Sequence, residues 1–203
     1  MKVTPASEHP LTDDACRTST GKTLQEWFAE LDAKHGVGRR DAIQWIYDET
    51  GRGKDVWWPT TIWVLYEASK GVVNKKDGLA EGYHLCATKT VAASVADVYR
   101  GFTEAGHNSW LGCNPATEGA PFTDDAGNTG TWLRLRPGKD VRIAWRTAGT
   151  AHPSMVDAVF ADKGGGKTGI TVNHARVQSR EEADGLRSAW LAALDALKKQ
   201  LEG

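Results

Sequence analysis

The sequence predicts an α+β protein in which an antiparallel sheet is wrapped around a long C-terminal helix. Residues 180–202 carry apolar side chains at steps of three and four, so they form one amphipathic helix with a single apolar face. Four strand-like segments precede this helix, at residues 132–136, 140–146, 154–161 and 168–177. The apolar helix face needs a surface to cover it, and an antiparallel sheet built from these strands is the simplest one.

Both ends of this helix carry typical signals. Ser179 is suited to be the N-cap, and Glu182 follows three residues later, which is the spacing of a capping box. Lys198 and Lys199 fall in the last turn, where positive charge complements the helix dipole.

Composition restricts the classes of function. The chain has 203 residues, and its 25 Lys and Arg nearly balance its 26 Asp and Glu, which gives no electrostatic argument for binding nucleic acid or an anionic membrane. No apolar run approaches the roughly 18–20 residues that span a bilayer, and the polar N-terminus is not a secretory signal. The three scattered cysteines, Cys16, Cys86 and Cys113, indicate a reducing compartment, so we expect a cytoplasmic protein.

The N-terminal part predicts a separate helical module. Residues 1–19 are rich in Thr, Ser, Asp and Pro without any period, which predicts a poorly ordered leader. Residues 20–71 predict three short helices, the first of them with a capping box from Thr23 to Glu26. Residues 72–82 read as a linker.

The larger domain is predicted over residues 83–203. It begins with a strand over residues 83–91 and a helix over residues 94–102. Residues 114–130 are rich in Gly, Pro, Asp and Asn, which predicts a loop or an irregular edge before the strand series.

Several runs within this domain resemble a known family. They are Lys89-Thr90-Val91-Ala92-Ala93 before the first helix, Val141-Arg142-Ile143-Ala144-Trp145 on a middle strand, Gly169-Ile170-Thr171-Val172-Asn173-His174 on the last strand, and Trp190, Leu194 and Leu197 on the final helix. Together they are similar to the helix-grip fold of the START-like, or SRPBCC, superfamily, and within it to bacterial homologues of the heat-shock-protein ATPase activator. Many relatives have a proline where this chain has Ser94. Residues 20–67 resemble a helical domain of unknown function that is often fused to such a domain.

The resemblance implies a fold more strongly than an activity. The superfamily includes lipid binders, polyketide cyclases, hormone receptors and co-chaperones, and function resides in sites rather than in folds.

Two short patterns suggest phosphate or metal binding but have simpler explanations. Gly166-Lys167-Thr168 resembles the end of a phosphate-binding loop, yet strand-like residues follow it, so a glycine-rich hairpin turn is predicted. His84, Cys86, His107 and Cys113 lack the paired spacing of structural zinc sites. No metal and no cofactor are therefore expected.

The leading functional prediction is a cavity between the sheet and the final helix that binds a small, mostly apolar molecule. A curved sheet against one helix often leaves such a space. The candidate wall residues are Trp110, Leu133, Leu135, Ile143, Trp145, Val159, Ile170, Val172, Leu186 and Trp190. A strand shifted by one residue would present the opposite set of side chains.

Two other functions remain open from the sequence. One is a co-chaperone-like protein-interaction module, which the resemblance implies. The other is a cavity enzyme of the cyclase or hydratase type, in which His174 and Asp157 on adjacent predicted strands would form an acid–base pair. The expected partners are a small apolar molecule or a protein.

Overall fold

The computed structural model describes residues 1–7, 10–51, 57–73, 77–104 and 115–203. The chain divides into two compact units. One is Ser7–Tyr83, and the other joins Met1–Ala6 to His84–Gly203.

The first unit is helical. Its described helices are α1 (Asp13–Thr20), α2 (Leu24–Ala33), α3 (Arg39–Glu49) and α4 (Trp57–Ser69). They enclose a core of Cys16, Trp27, Leu31, Ala42, Ile46, Trp58, Ile62 and Trp63. The predicted capping box forms at α2, because the Thr23 hydroxyl accepts the Glu26 N–H at 3.2 Å and the Glu26 carboxylate accepts the Thr23 N–H at 2.7 Å. Helices α2 to α4 correspond to the three predicted helices.

Helix α1 differs from the expectation of a poorly ordered leader over residues 1–19. The Thr12 side chain caps it by accepting the Ala15 N–H, and Gly21 ends it with φ +83°. Cys16 is fully buried in the helical core. One buried side chain among polar neighbours is too weak a periodic signal to predict a helix, so packing decides this element.

In its described residues, the second unit is a six-stranded sheet with two helices. In chain order it contains β1 (Tyr83–Val91), α5 (Val95–Thr103), β2 (Pro121–Thr123), β3 (Thr129–Arg136), β4 (Asp140–Arg146), β5 (Ser154–Gly164), β6 (Lys167–Val177) and α6 (Arg180–Glu202). The strand order is β1-β6-β5-β4-β3-β2, and the pairings from β2 to β6 are antiparallel. This arrangement confirms the α+β helix-grip prediction. The turn from Gly164 to Lys167 is the predicted glycine-rich hairpin.

Helix α6 crosses one face of the sheet, and we call this side the inner face and the opposite side the outer face. Ser179 caps α6 by accepting the Glu182 N–H at 3.2 Å. The Glu182 side chain is buried near Thr147, and burial raises the pKa of its carboxyl group. Helix α5 lies close to α6, because a Cβ on Gly101 would meet the Leu197 side chain at 2.8 Å.

The first six residues belong to the sheet unit. The Ala6 N–H donates to the Glu181 carbonyl at 3.2 Å, and the Met1 α-amino group lies 2.7 Å from the Asp124 carboxylate. A Cβ on Gly185 would meet the Thr4 carbonyl oxygen at 2.5 Å, so this segment runs directly over α6. This contact also differs from the predicted poorly ordered leader. It joins residues far apart in the sequence, so local patterns could not predict it.

Candidate functional site

Most of the predicted wall residues lie on the inner face of the sheet or on the facing side of α6. Six of them are at most 1% exposed, namely Ile143, Trp145, Ile170, Val172, Leu186 and Trp190. Leu135 also faces inward, because it pairs with the fully buried Val141, but it is only half-buried. Trp110 lies outside the described residues.

Two predicted wall residues lie on the outer face of the sheet instead of the inner face. Leu133 is 43% exposed and Val159 is 40% exposed. Leu133 lies at a bulge, where the register shifts between Trp132 and Arg134, so the extra residue projects away from the core. Val159 lies between Ala158 and Phe160, which are both buried, so the alternation of β5 places it on the outer face.

Aromatic rings occupy the region between the inner face and the helices. The rings of this aromatic layer are Tyr99, Phe102, Phe122, Trp132, Trp145, Phe160 and Trp190. Trp145 on β4 and Trp190 on α6 are in contact, with ring centroids 5.8 Å apart. Phe102 on α5 stacks on Trp190 with centroids 6.5 Å apart. The sheet and the helices therefore touch directly through these rings.

A buried hydrogen-bond chain crosses the same layer. The Trp190 indole N–H donates to Nδ1 of His174 at 3.0 Å, and Nε2 of His174 lies 2.7 Å from the Ser154 hydroxyl. The Ser154 hydroxyl in turn donates to the Trp145 carbonyl at 3.3 Å. Since Nδ1 accepts a hydrogen bond, the neutral ring carries its proton on Nε2 and donates to Ser154. The indole N–H of Trp190, both ring nitrogens of His174 and the Ser154 hydroxyl thus each have a hydrogen-bond partner.

Burial keeps His174 uncharged. The side chain is fully buried, and loss of solvation of the imidazolium lowers the pKa of His174 to about 3. Both ring nitrogens are already engaged by Trp190 and Ser154. This arrangement orients the ring and links α6 to the sheet, and it leaves neither nitrogen available to a substrate.

The proposed pair of His174 and Asp157 does not form. In the register of β5 and β6, His174 is opposite Val156, whereas Asp157 is opposite Asn173. The two side chains therefore project to opposite faces of the sheet. Asp157 instead accepts two hydrogen bonds from Arg142, at 2.7 and 2.9 Å, on the outer face.

A metal centre is not found in the described part of the chain, where no three His, Cys, Asp or Glu side chains come together. His84 and Cys86 lie on β1, and the other two zinc candidates, His107 and Cys113, are outside the described residues.

Sequence reasoning missed Ser154 and the arginines of the outer face. The alternation of Ser154 with the inward-facing Val156, Ala158 and Phe160 was the signal that could have placed this serine beside His174. The arginines could have been found by counting charge over the strands separately from the whole chain.

A family comparison decides the relationship. Residues 92–202, more than half of the chain, match the family described as activator of Hsp90 ATPase homolog 1-like protein. The chain belongs to this family. Its relationship to the START-like superfamily, inferred from the sequence, is thereby confirmed.

Solved structures agree with this assignment. CalU16 from Micromonospora echinospora is 22% identical, with a TM-score of 0.52 over 58% of this chain and 75% of that one. MLL2253 from Mesorhizobium loti is 16% identical, with a TM-score of 0.53 over 59% of this chain and 97% of that one. The Aha1 dimer from Colwellia psychrerythraea is 17% identical, with a TM-score of 0.50 over 59% and 96%. At these identities the likeness concerns the fold. No curated protein matches the chain.

Membership of the Hsp90-activator-like family supports a module that binds a ligand or acts in the manner of a co-chaperone, without distinguishing between the two. Among the residues that the structure describes, no helix is long and apolar enough to cross a membrane.

Proposed function

We propose that the helix-grip unit is a protein-interaction module of the co-chaperone type, which acts through its surface. The observation that supports this proposal best is the aromatic layer. Trp190 on α6 contacts the sheet through Trp145 and through its hydrogen bond to His174. These contacts occupy the middle of the space that a ligand cavity would require, and six of the ten residues predicted to line that cavity are buried in the core.

The family description supports the same proposal. The family is described by its likeness to an activator of the Hsp90 ATPase, and activation of an ATPase in this way is a function that one protein performs on another. The geometry does not support the cyclase or hydratase alternative, because His174 and Asp157 are on opposite faces and the pKa of His174 is about 3.

The direct experiment measures the ATPase rate of the host's own Hsp90 with and without the full-length protein. The proposal predicts a saturable rise in rate as the protein is added, and a complex that co-elutes with Hsp90 in size-exclusion chromatography. Trp190→Ala protein, whose core is destabilised, is the control, and its effect should be weakened in proportion to the fraction of the protein that is unfolded. An unchanged ATPase rate and no co-elution would overturn the co-chaperone assignment.

The second candidate is the binding of a small, mostly apolar ligand, and one observation favours it. Leu135 faces inward yet remains half-buried, so the inner side of β3 is incompletely covered. A ligand that completed this coverage would bury apolar area and raise the melting temperature.

This candidate is tested with an apolar fluorescent probe and by native mass spectrometry of protein purified from its host. Ligand binding predicts quenching of tryptophan emission, a higher melting temperature, and weaker probe binding by Leu135→Gln than by the outer-face variant Leu133→Gln. Equal binding by the two variants, or none to the parent, would reject it.

A further inference from the structure

Charge is distributed unevenly along this nearly neutral chain. Residues 129–177, which contain β3 to β6, carry eight Lys and Arg against three Asp and no Glu. The rest of the chain then carries 17 Lys and Arg against 23 Asp and Glu. The four central strands, β3 to β6, are therefore the basic part of an otherwise acidic protein, although the total charge is only −1.

The alternation of the strands places six of these eight cations on the outer face. Val141, Ile143 and Trp145 face inward and are buried, so Arg142 and Arg146 project outward. The same alternation and the pairing register give the full set of outer-face cations, which are Arg134, Arg136, Arg142, Arg146, Lys163 and Lys167. Only two carboxylates, Asp140 and Asp157, share this face on β3 to β6.

The two carboxylates fix the central arginines in place. Asp157 holds Arg142 through two hydrogen bonds, and Asp140 accepts from Arg134 at 2.9 Å and also pairs with Arg136. The hydrogen bonds from these arginines lower the pKa of Asp140, so this carboxylate stays ionised. Oriented guanidinium groups lose less conformational freedom on binding than free ones.

The composition of this face suits a protein partner. Leu133 and Val159 are exposed beside the arginines, and arginine is enriched in protein interfaces. The outward positions of β3 to β6, all of which are described, include no aromatic residue on which a nucleic-acid base would stack.

We propose that the outer face of β3 to β6, centred on Arg142, is the docking surface of this domain and that it receives an acidic, extended segment of a partner protein. This inference rests on the proposed protein-interaction function and adds the chemistry of the partner. From Met155 to Lys163 the face runs along nine residues of β5, which at about 3.3 Å per residue is a length of about 26 Å. It therefore accommodates about eight extended residues of the partner.

The test uses the full-length protein and a fluorescein-labelled peptide of about ten residues that is rich in Glu and Leu. The comparison peptide has Gln in place of every Glu. The test variant is Arg146→Glu with Lys167→Glu, which changes two exposed outer-face cations and leaves the fixed arginines intact. The matched control is Arg187→Glu with Lys199→Glu, which makes the same change of charge at exposed positions of α6. Circular dichroism and melting curves verify that both variants fold.

The proposal predicts that the acidic peptide binds, that the Gln peptide does not, and that salt weakens binding. The outer-face variant should raise the Kd about tenfold or more, whereas the α6 control should stay within about twofold of the parent. Equal losses in the two variants, or no binding of the acidic peptide, would overturn it. Tighter binding of a labelled thymidine oligonucleotide than of the acidic peptide would also overturn it and would indicate a nucleic-acid surface instead. Peptide binding together with an unchanged Hsp90 ATPase rate would refute the co-chaperone role alone and leave the docking surface intact.

Discussion

Removing the Trp190 indole tests the aromatic layer and the hydrogen-bond chain together. The side chain is fully buried, it contacts Phe102 and Trp145, and its N–H is the donor to His174. Trp190→Ala should cost about 3–5 kcal/mol through the lost ring and the cavity it leaves. It should cost about 1–3 kcal/mol more because Nδ1 of His174 would be buried without a partner.

Trp190→Phe separates the two contributions. Phenylalanine retains most of the packing against Phe102 and Trp145 but has no donor for His174, so we expect a loss of about 1–3 kcal/mol. The free energies of unfolding are measured by urea denaturation followed by circular dichroism, with Val159→Ala as an exposed control that should change stability by less than about 0.5 kcal/mol. If Trp190→Phe were as stable as that control, the hydrogen bond to His174 would contribute nothing. If Trp190→Ala were equally stable, Trp190 would not be in the core.

Three further predictions concern stability. The pKa of His174 is about 3 in the folded protein and about 6.5 in the unfolded chain, so between these pH values only the unfolded chain gains a proton as the pH falls. The stability that neutral His174 contributes should therefore be fully present above pH 6.5, and the free energy of unfolding should decline by about 1.4 kcal/mol per pH unit below it. Urea denaturation at a series of pH values measures this decline, and an equally steep decline in a His174→Gln variant would contradict the prediction. Ala193→Trp should lose about 1–3 kcal/mol or more by overpacking, since Ala193 is only 6% exposed on the inner side of α6, and an unchanged melting temperature would reveal unfilled space there. Gly185→Ala should displace the Met1–Ala6 segment, because the new Cβ would meet the Thr4 carbonyl oxygen at 2.5 Å. Limited proteolysis should then cleave this segment sooner in the variant than in the parent. Equally fast cleavage of both proteins would refute the contact.

The Met1–Ala6 contact also affects the predicted domain boundary. A fragment that begins near residue 82 remains our prediction for an independently folding domain, but it lacks the segment that bonds to Glu181. We expect it to be soluble with a cooperative melt at a lower temperature than the full chain. Aggregation, or a melt without a transition, would show that residues 83–203 do not fold alone.

Local signals predicted the elements of the sheet unit closely. Helix α6 begins and ends where the apolar period of three and four residues and the Ser179 cap place it, and β4 spans the residues predicted for it. Apolar periodicity and helix capping depend on residues that are close together in the sequence, so both can be recognised from the sequence alone. The short strand β2 was missed, since a three-residue segment within a loop rich in Gly, Pro, Asp and Asn has no period.

The face of each side chain depended on information that is not local. The inward face was predicted correctly at Ile143 and Val172, where buried residues alternate regularly, and wrongly at Leu133, where a bulge adds one residue to β3. The separation of His174 from Asp157 depends on the pairing of β5 with β6, because one residue of register moves a side chain to the opposite face.

The sequence by itself determined the fold class, the long helix, most strands and the family. Amphipathic periods and family-typical runs consist of residues that are close together in the sequence, so they can be recognised without the structure. Only the tertiary structure decided that Trp145 and Trp190 meet across the layer, that His174 is held neutral between Trp190 and Ser154, and that the cations of β3 to β6 share one face. These features depend on distances between residues remote in the chain, and such distances are set by strand register and by the packing of α6 on the sheet.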